Sequence, residues 1–232
     1  MSIESNHPSS GVRTRFETED DIPAIRRVNK EAFKRDLESR IVDALRSAGT
    51  VIMSMVAVVD ADEIEIGESS QEEATISTWG GEGGGWGDVP GYGEPGTCGS
   101  YGSGGGRVVG GTVIGHALVT PVRVFSERGD NSLLGLGPVA VLPENQGQGA
   151  GTLLIEACLE QAREAGHPGI VVVGDPRYYS RFGFIPASRW GLRWEIDTPE
   201  DSFMALELCP GQLNGIAGVV RYRPEFMQST DL

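Results

Sequence analysis

Val139–Thr152 reads VAVLPENQGQGAGT: an apolar run of strand type, then a proline, then a turn with glycines at 147, 149 and 151. A helix follows directly, because Leu153, Leu154, Ala157, Cys158, Ala162 and Ala165 recur at helical spacing and Gly166 with Pro168 stops them. A turn of this kind aims the backbone N–H groups of Gln146, Gly147, Gln148, Gly149, Ala150, Gly151 and Thr152 toward one point, which suits an anion such as a pyrophosphate. Gly149 and Gly151 carry no side chain to block close approach, and the side-chain amides of Gln146 and Gln148 are further candidate donors. No Lys or Arg stands between Arg128 and Arg163.

Downstream, Ile170–Val173 is a short buried-strand pattern, followed by GDPRYYSRFGF over 174–184. Asp175 before Pro176 reads as the N-cap of a short helix. The spacing Gln146-x-x-Gly149-x-Gly151 after a Val-Ala-Val strand, with Tyr179 four residues before Gly183-Phe184, resembles the Gcn5-related N-acetyltransferase (GNAT) family, in its YhbS-like branch.

The resemblance implies an α/β fold with a mixed, splayed sheet flanked by helices, and acetyl-CoA as co-substrate without a metal. It implies an N-acetyltransferase acting on an amine of a small molecule or peptide by direct attack. The family's cofactor site then maps onto Val139, Ala140 and Val141 on the strand and 146–152 in the turn. The backbone around Ala140 and Val141 would meet the oxyanion, and Tyr179 would give the leaving thiolate its proton as general acid. The structural reading of Tyr178 and Tyr179 is that both pack the short helix onto the sheet. The alternative at the level of function is a non-catalytic acyl-CoA-binding or interaction module, kept open by a turn without a cation and by the lack of an evident base.

An alkyl amine is mostly protonated at neutral pH, so a base, a water relay or a site selecting the neutral fraction is required. His116 is the candidate base, with Glu31 and Glu144 as alternatives; a hydrogen-bonded interior histidine is the structural reading of His116. Gly135-Leu-Gly137-Pro-Val-Ala140 fits a GxGxxA dinucleotide pattern, but it enters a strand rather than opening a helix, which argues against that chemistry.

The 232 residues carry a formal net charge of −14, unevenly placed. Ten acidic residues and no Lys or Arg fall between Asp60 and Gly106, leaving the rest of the chain at −4. No basic stripe for nucleic acid is visible. Cys98, Cys158 and Cys209 form no metal-ligand spacing with His7, His116 and His167. No apolar run is long enough to span a membrane, and the opening MSIESNHPSS lacks a secretory pattern, so the expectation is a soluble, cytoplasmic protein.

Residues 1–11 are expected to be a flexible terminus and 12–232 a single domain. That domain is interrupted over 61–106 by an acidic, then glycine-rich insertion between early strands, in which 14 of the 27 residues 80–106 are glycine. The opening order is strand over Val12–Phe16, helices over Asp20–Phe33 and Leu37–Leu45, and strand over Val51–Val59. Val109–Val124 reads as a strand with a bend at Gly115, and Leu133–Leu142 as one that Pro138 must bulge or leave unpaired on one edge. Leu192–Ile196 and Phe203–Leu208 read as the last two strands, with a packed tail after Pro210.

Overall fold

The computed structural model describes residues 11–60, 111–127 and 129–227; the insertion expected over 61–106 and residues 1–10 lie outside them. The opening strand β1 (Val12–Phe16) is followed by helices α1 (Ile22–Phe33) and α2 (Leu37–Ser47), then strand β2 (Met53–Asp60). A 3-10 turn at Glu19–Asp21 leads into α1, and there the Asp21 carboxylate accepts from the N–H and hydroxyl of Thr18 at 2.7 and 2.9 Å. Arg15 on β1 grips the same carboxylate at 2.6 and 2.8 Å, which holds Asp21 down at a pKa of about 2. The helices bury one face each, Ile25 and Val28 on α1 and Ile41, Val42 and Leu45 on α2.

Strand β3 (Gly111–Phe125) pairs antiparallel with β2, with Asp60 opposite Gly111. The chain therefore leaves the described sheet at Asp60 and re-enters it at the neighbouring position. The expected bend falls in the register shift where Ala57 faces Gly115 and Val58 faces Val113.

Strand β4 (Asn131–Val141) pairs antiparallel with β3, and Pro138 acts there as the sequence predicts. Ala117 faces Val139 and Val119 faces Leu136, so Gly137 and Pro138 together oppose Leu118 in a bulge. Helix α3 (Ala150–Glu164) then crosses to β5 (Gly169–Val173), burying Leu154, Ile155, Cys158, Leu159 and Ala162 against the sheet.

Helix α4 (Pro176–Tyr179) and strands β6 (Ile185–Pro186), β7 (Leu192–Trp194) and β8 (Phe203–Glu207) complete this half, with β8 antiparallel to both β5 and β6. The sheet order among the described residues is β1-β2-β3-β4-β5-β8-β6.

The C-terminal segment departs from the sequence reading. A further strand, β9 (Gly218–Arg221), pairs antiparallel with Arg123–Phe125 of β3 and parallel with β7, before helix α5 (Pro224–Met227). Four residues that begin with a glycine give no periodic signal of their own; the strand exists because distant β3 and β7 present edges to it.

Candidate functional site

Strands β4 and β5 run parallel but pair only at Leu134 with Ile170 and Gly135 with Val171. Beyond Gly135 the strand continues to Val141 with no partner on the β5 side, so the two strands part. A cleft of about 1080 Å³ occupies the gap. Its walls are Val139 and Val141, the turn from Asn145 to Leu153 with Glu156 behind it, and Tyr178, Tyr179 and Arg181 facing them. Two segments singled out for separate reasons in the sequence thus form opposite walls of one site.

Which backbone groups the cleft receives follows from the β3–β4 register. Leu142 N–H donates to Ile114 O at 2.9 Å, and His116 faces Ala140 in the same ladder. Alternation along the strand puts the N–H of Ala140 on the β3 side and those of Val139 and Val141 on the open side. The oxyanion assignment is corrected accordingly: Ala140 is committed to the ladder and its side chain is core, whereas the N–H groups of Val139 and Val141 face the open side.

The turn is built for close approach. A 3-10 turn at Pro143–Asn145 precedes Gly147 at φ +76° and Gly149 at φ +92°, a region that side chains disfavour. Gly149 is the N-cap of α3 with no side-chain cap, which leaves the first N–H groups of the helix aimed outward. The side chains of Gln146 and Gln148 are only partly free as donors, however. Gln146 Nε2 donates to Val141 O at 3.0 Å and Gln148 Nε2 to Glu144 O at 2.9 Å, so both amides brace the turn. Each amide keeps a second N–H, so the donors left to the turn are these and the main-chain groups, none of them charged.

On the opposite wall, Asp175 caps α4 as expected by accepting from Arg177 N–H at 2.9 Å, with Pro176 in the first turn. Tyr178 and Tyr179 meet edge to face with centroids 5.2 Å apart, and Tyr179 meets Phe184 likewise at 5.8 Å. The Tyr178 hydroxyl reaches across to α3, lying 2.7 Å from where a Cβ of Gly151 would stand. Burial, with the charge of Tyr178 as a lesser cause, pushes the Tyr179 phenol up to about 12. It is therefore fully protonated at neutral pH while still lining the cleft.

Arg181 is the residue the sequence reading passed over. It is the single Lys or Arg among the described residues lining the cleft, and it arrives from the 3-10 turn after α4 rather than from the phosphate-type turn itself. The signal available was the tyrosine-rich spelling around it: the guanidinium stacks over the Tyr178 ring at 4.4 Å.

His116 does not line the cleft. It is fully buried, on the face of β3 covered by α1, with Nδ1 3.1 Å from Asn29 Nδ2 and Nε2 3.0 Å from Ser54 Oγ. Asn29 Nδ2 can only donate, so Nδ1 accepts and Nε2–H donates to Ser54, whose hydroxyl in turn donates to Glu17. Glu17 is held by Arg46 at 2.8 and 3.0 Å. Burial would raise the Glu17 carboxyl, but the bonds from Arg46 and Ser54 outweigh it and keep it below its ordinary range. Burial likewise holds His116 at a pKa of about 4, the opposing charge of Glu17 being insufficient. Both ring nitrogens are engaged and the ring never meets solvent, so the candidate base is corrected to an interior anchor joining β3, α1 and β2. Glu31 and Glu144 come together instead on Arg27, at 2.8 and 3.7 Å.

Among the described residues no group of three His, Cys, Asp or Glu side chains is placed to hold a metal, and no helix is long and apolar enough to cross a membrane.

Comparison with known proteins places this geometry. The model of the acetyltransferase (GNAT) family matches residues 95–184. The uncharacterised N-acetyltransferase YhbS of Escherichia coli K12 is 37% identical over 116 residues, covering 50% of this chain and 68% of that protein. The crystal structure of Escherichia coli YhbS in complex with CoA superposes with a TM-score of 0.69 at 26% identity, covering 95% of this chain and 94% of the other. A GNAT acetyltransferase of Brucella melitensis in complex with acetyl-CoA gives a TM-score of 0.60 at 28% identity, covering 94% and 99%.

Proposed function

The chain belongs to the acetyltransferase (GNAT) family, and from that membership we propose that it transfers the acetyl group of acetyl-CoA to an amine of a small molecule or peptide, within the cleft between β4 and β5. The observation that carries the proposal is the two-pair contact between β4 and β5, which opens the strand edge directly above an uncapped, glycine-turned helix start.

The residues fit the co-substrate in three ways. The diphosphate meets the main-chain N–H groups of Gly147–Thr152 and the positive end of α3. The extended pantetheine arm is chemically suited to the N–H groups that Val139 and Val141 turn to the open side, much as an added strand would be. The thioester carbonyl is then beside N–H donors that are fixed before the reaction begins, where a developing oxyanion gains most.

The acceptor amine, in its neutral form, attacks the carbonyl carbon. The tetrahedral intermediate collapses with cleavage of the carbon–sulfur bond, and the sulfur leaves with a proton from the Tyr179 hydroxyl. A phenol raised to about 12 gives up its proton only in concert with carbon–sulfur cleavage, and the proton released by the acylated nitrogen passes through water to the Tyr179 oxygen, which restores the hydroxyl. No residue of the cleft is assigned as base; the amine is taken from its neutral fraction or deprotonated through water. His116 has no part in this step.

The test incubates the purified chain with isotope-labelled acetyl-CoA and a panel of amines and peptides, reading acetylated products by mass spectrometry and free thiol in parallel. Acetylated product that depends on the chain supports transfer. CoA binding without any product across the panel favours the non-catalytic binding module, and absence of CoA binding removes both readings.

A further inference from the structure

We infer that Arg181 supplies, from across the cleft, the cation that the diphosphate turn lacks, and that it binds a phosphate group of the CoA moiety. The inference rests on the acetyl-CoA reading above and names a residue for it.

The turn from Gln146 to Thr152 contains no Lys or Arg, and each of its two glutamine amides has one N–H tied to a carbonyl, of Val141 and of Glu144. Uncharged N–H groups alone would face several negative charges, with the carboxylate of Glu156 on the same wall. The opposite wall carries Arg181, and three features prepare it for an anion. Its guanidinium carbon lies over the Tyr178 ring, 4.4 Å from the centroid, and its Nε donates to Tyr178 O at 3.2 Å, so its position is set. Both Nη groups remain without a hydrogen-bond partner among the described residues. Finally, the supporting ring is anchored at its far end, where the Tyr178 hydroxyl touches the Gly151 position at the start of α3, so the guanidinium is held beside the helix end.

The neighbouring cations differ on the decisive point. Arg177 is neutralised by Asp175 at 3.0 Å, and Arg27 by Glu31 at 2.8 Å. Arg181 has no carboxylate partner among the described ion pairs and stands exposed at the cleft. A planar fork whose two Nη groups are both open matches a phosphate better than a carboxamide or a hydroxyl would. Tyr178 is thereby a positioning residue for Arg181, distinct from Tyr179.

The experiment measures dissociation constants by calorimetry for wild type, Arg181→Gln and Arg181→Lys, against CoA, 3′-dephospho-CoA and pantetheine. Arg181→Gln is expected to weaken CoA roughly tenfold, Arg181→Lys less, with pantetheine unaffected. In turnover the loss falls on KM for acetyl-CoA rather than on kcat, and the salt dependence of binding flattens. If 3′-dephospho-CoA abolishes the difference between wild type and variant, the 3′-phosphate is the target; if the difference persists, the diphosphate is. Equal CoA affinities in folded wild type and Arg181→Gln overturn the inference while leaving the acetyl-CoA reading intact. A wild type that fails to bind CoA removes the reading itself.

Discussion

The ring of Tyr179 lies directly against the α-carbon of Gly174, so that a methyl group there would collide with Cε2 and Cδ2 of the phenol. Gly174 follows directly on β5, and its N–H is fixed to Ser202 O at 2.9 Å, so the ring yields before the backbone does. Gly174→Ala is therefore predicted to displace the proposed acid without touching the phosphate turn. Its kcat should fall by roughly tenfold or more, with CoA affinity held within about threefold. Steady-state kinetics beside calorimetry check the split, and an unchanged kcat would detach Tyr179 from the chemistry.

Tyr179→Phe keeps the edge-to-face contacts with Tyr178 and Phe184 and removes only the hydroxyl. The expected loss is on the order of 10²-fold in kcat with little change in CoA binding. The acid must be protonated to act, and burial holds it at about 12. The wild-type kcat profile should thus show no falling limb due to Tyr179 between about pH 6 and about pH 10. A falling limb in that range that vanishes in Tyr179→Phe would contradict the raised phenol, and a kcat unchanged in Tyr179→Phe would contradict the acid role.

Much of the site could be read locally. Glycines at 147, 149 and 151 before a helical apolar repeat declare a turn and a helix start, and Pro138 declares a fault in the ladder, because these effects act on the residue itself. What could not be read depends on partners far along the chain. The open edge belongs to Val139 and Val141 rather than Ala140 because the register with β3 fixes the alternation past the bulge. The amides of Gln146 and Gln148 each have one N–H taken by a carbonyl that only the folded turn brings near. His116 looked like a reactive side chain until Asn29 of α1 and Ser54 of β2 enclosed it. Strand β9 exists by virtue of β3 and β7 alone.

That enclosure makes His116 a determinant of stability. Its folded pKa of about 4 lies below the ordinary 6.5, so between these values the unfolded chain binds the extra proton. Stability is then full above about pH 6.5 and is lost as pH falls toward about 4, by up to about 3 kcal/mol. Burial lowers His167 as well and adds to the same window, so the variant isolates the share of His116. Urea unfolding at several pH values should show a shallower slope in His116→Gln, together with a lower overall stability. An unchanged slope would mean that His116 titrates alike in the folded and unfolded chain, and would contradict its enclosure.

Gly149→Ala tests the turn. At φ +92° an alanine is strained, and the strain falls on the N-cap from which the first N–H groups of α3 emerge. The prediction is a CoA dissociation constant raised by roughly tenfold, with a stability cost of about 1 kcal/mol. Thermal unfolding with and without CoA separates the two effects.

Calorimetric titration of acetyl-CoA into the purified chain bears most directly on the open edge and the uncapped helix. One saturable site per chain, with a dissociation constant on the order of micromolar, is the result the parted strands β4 and β5 predict. A folded sample giving no saturable heat up to about millimolar acetyl-CoA would contradict it.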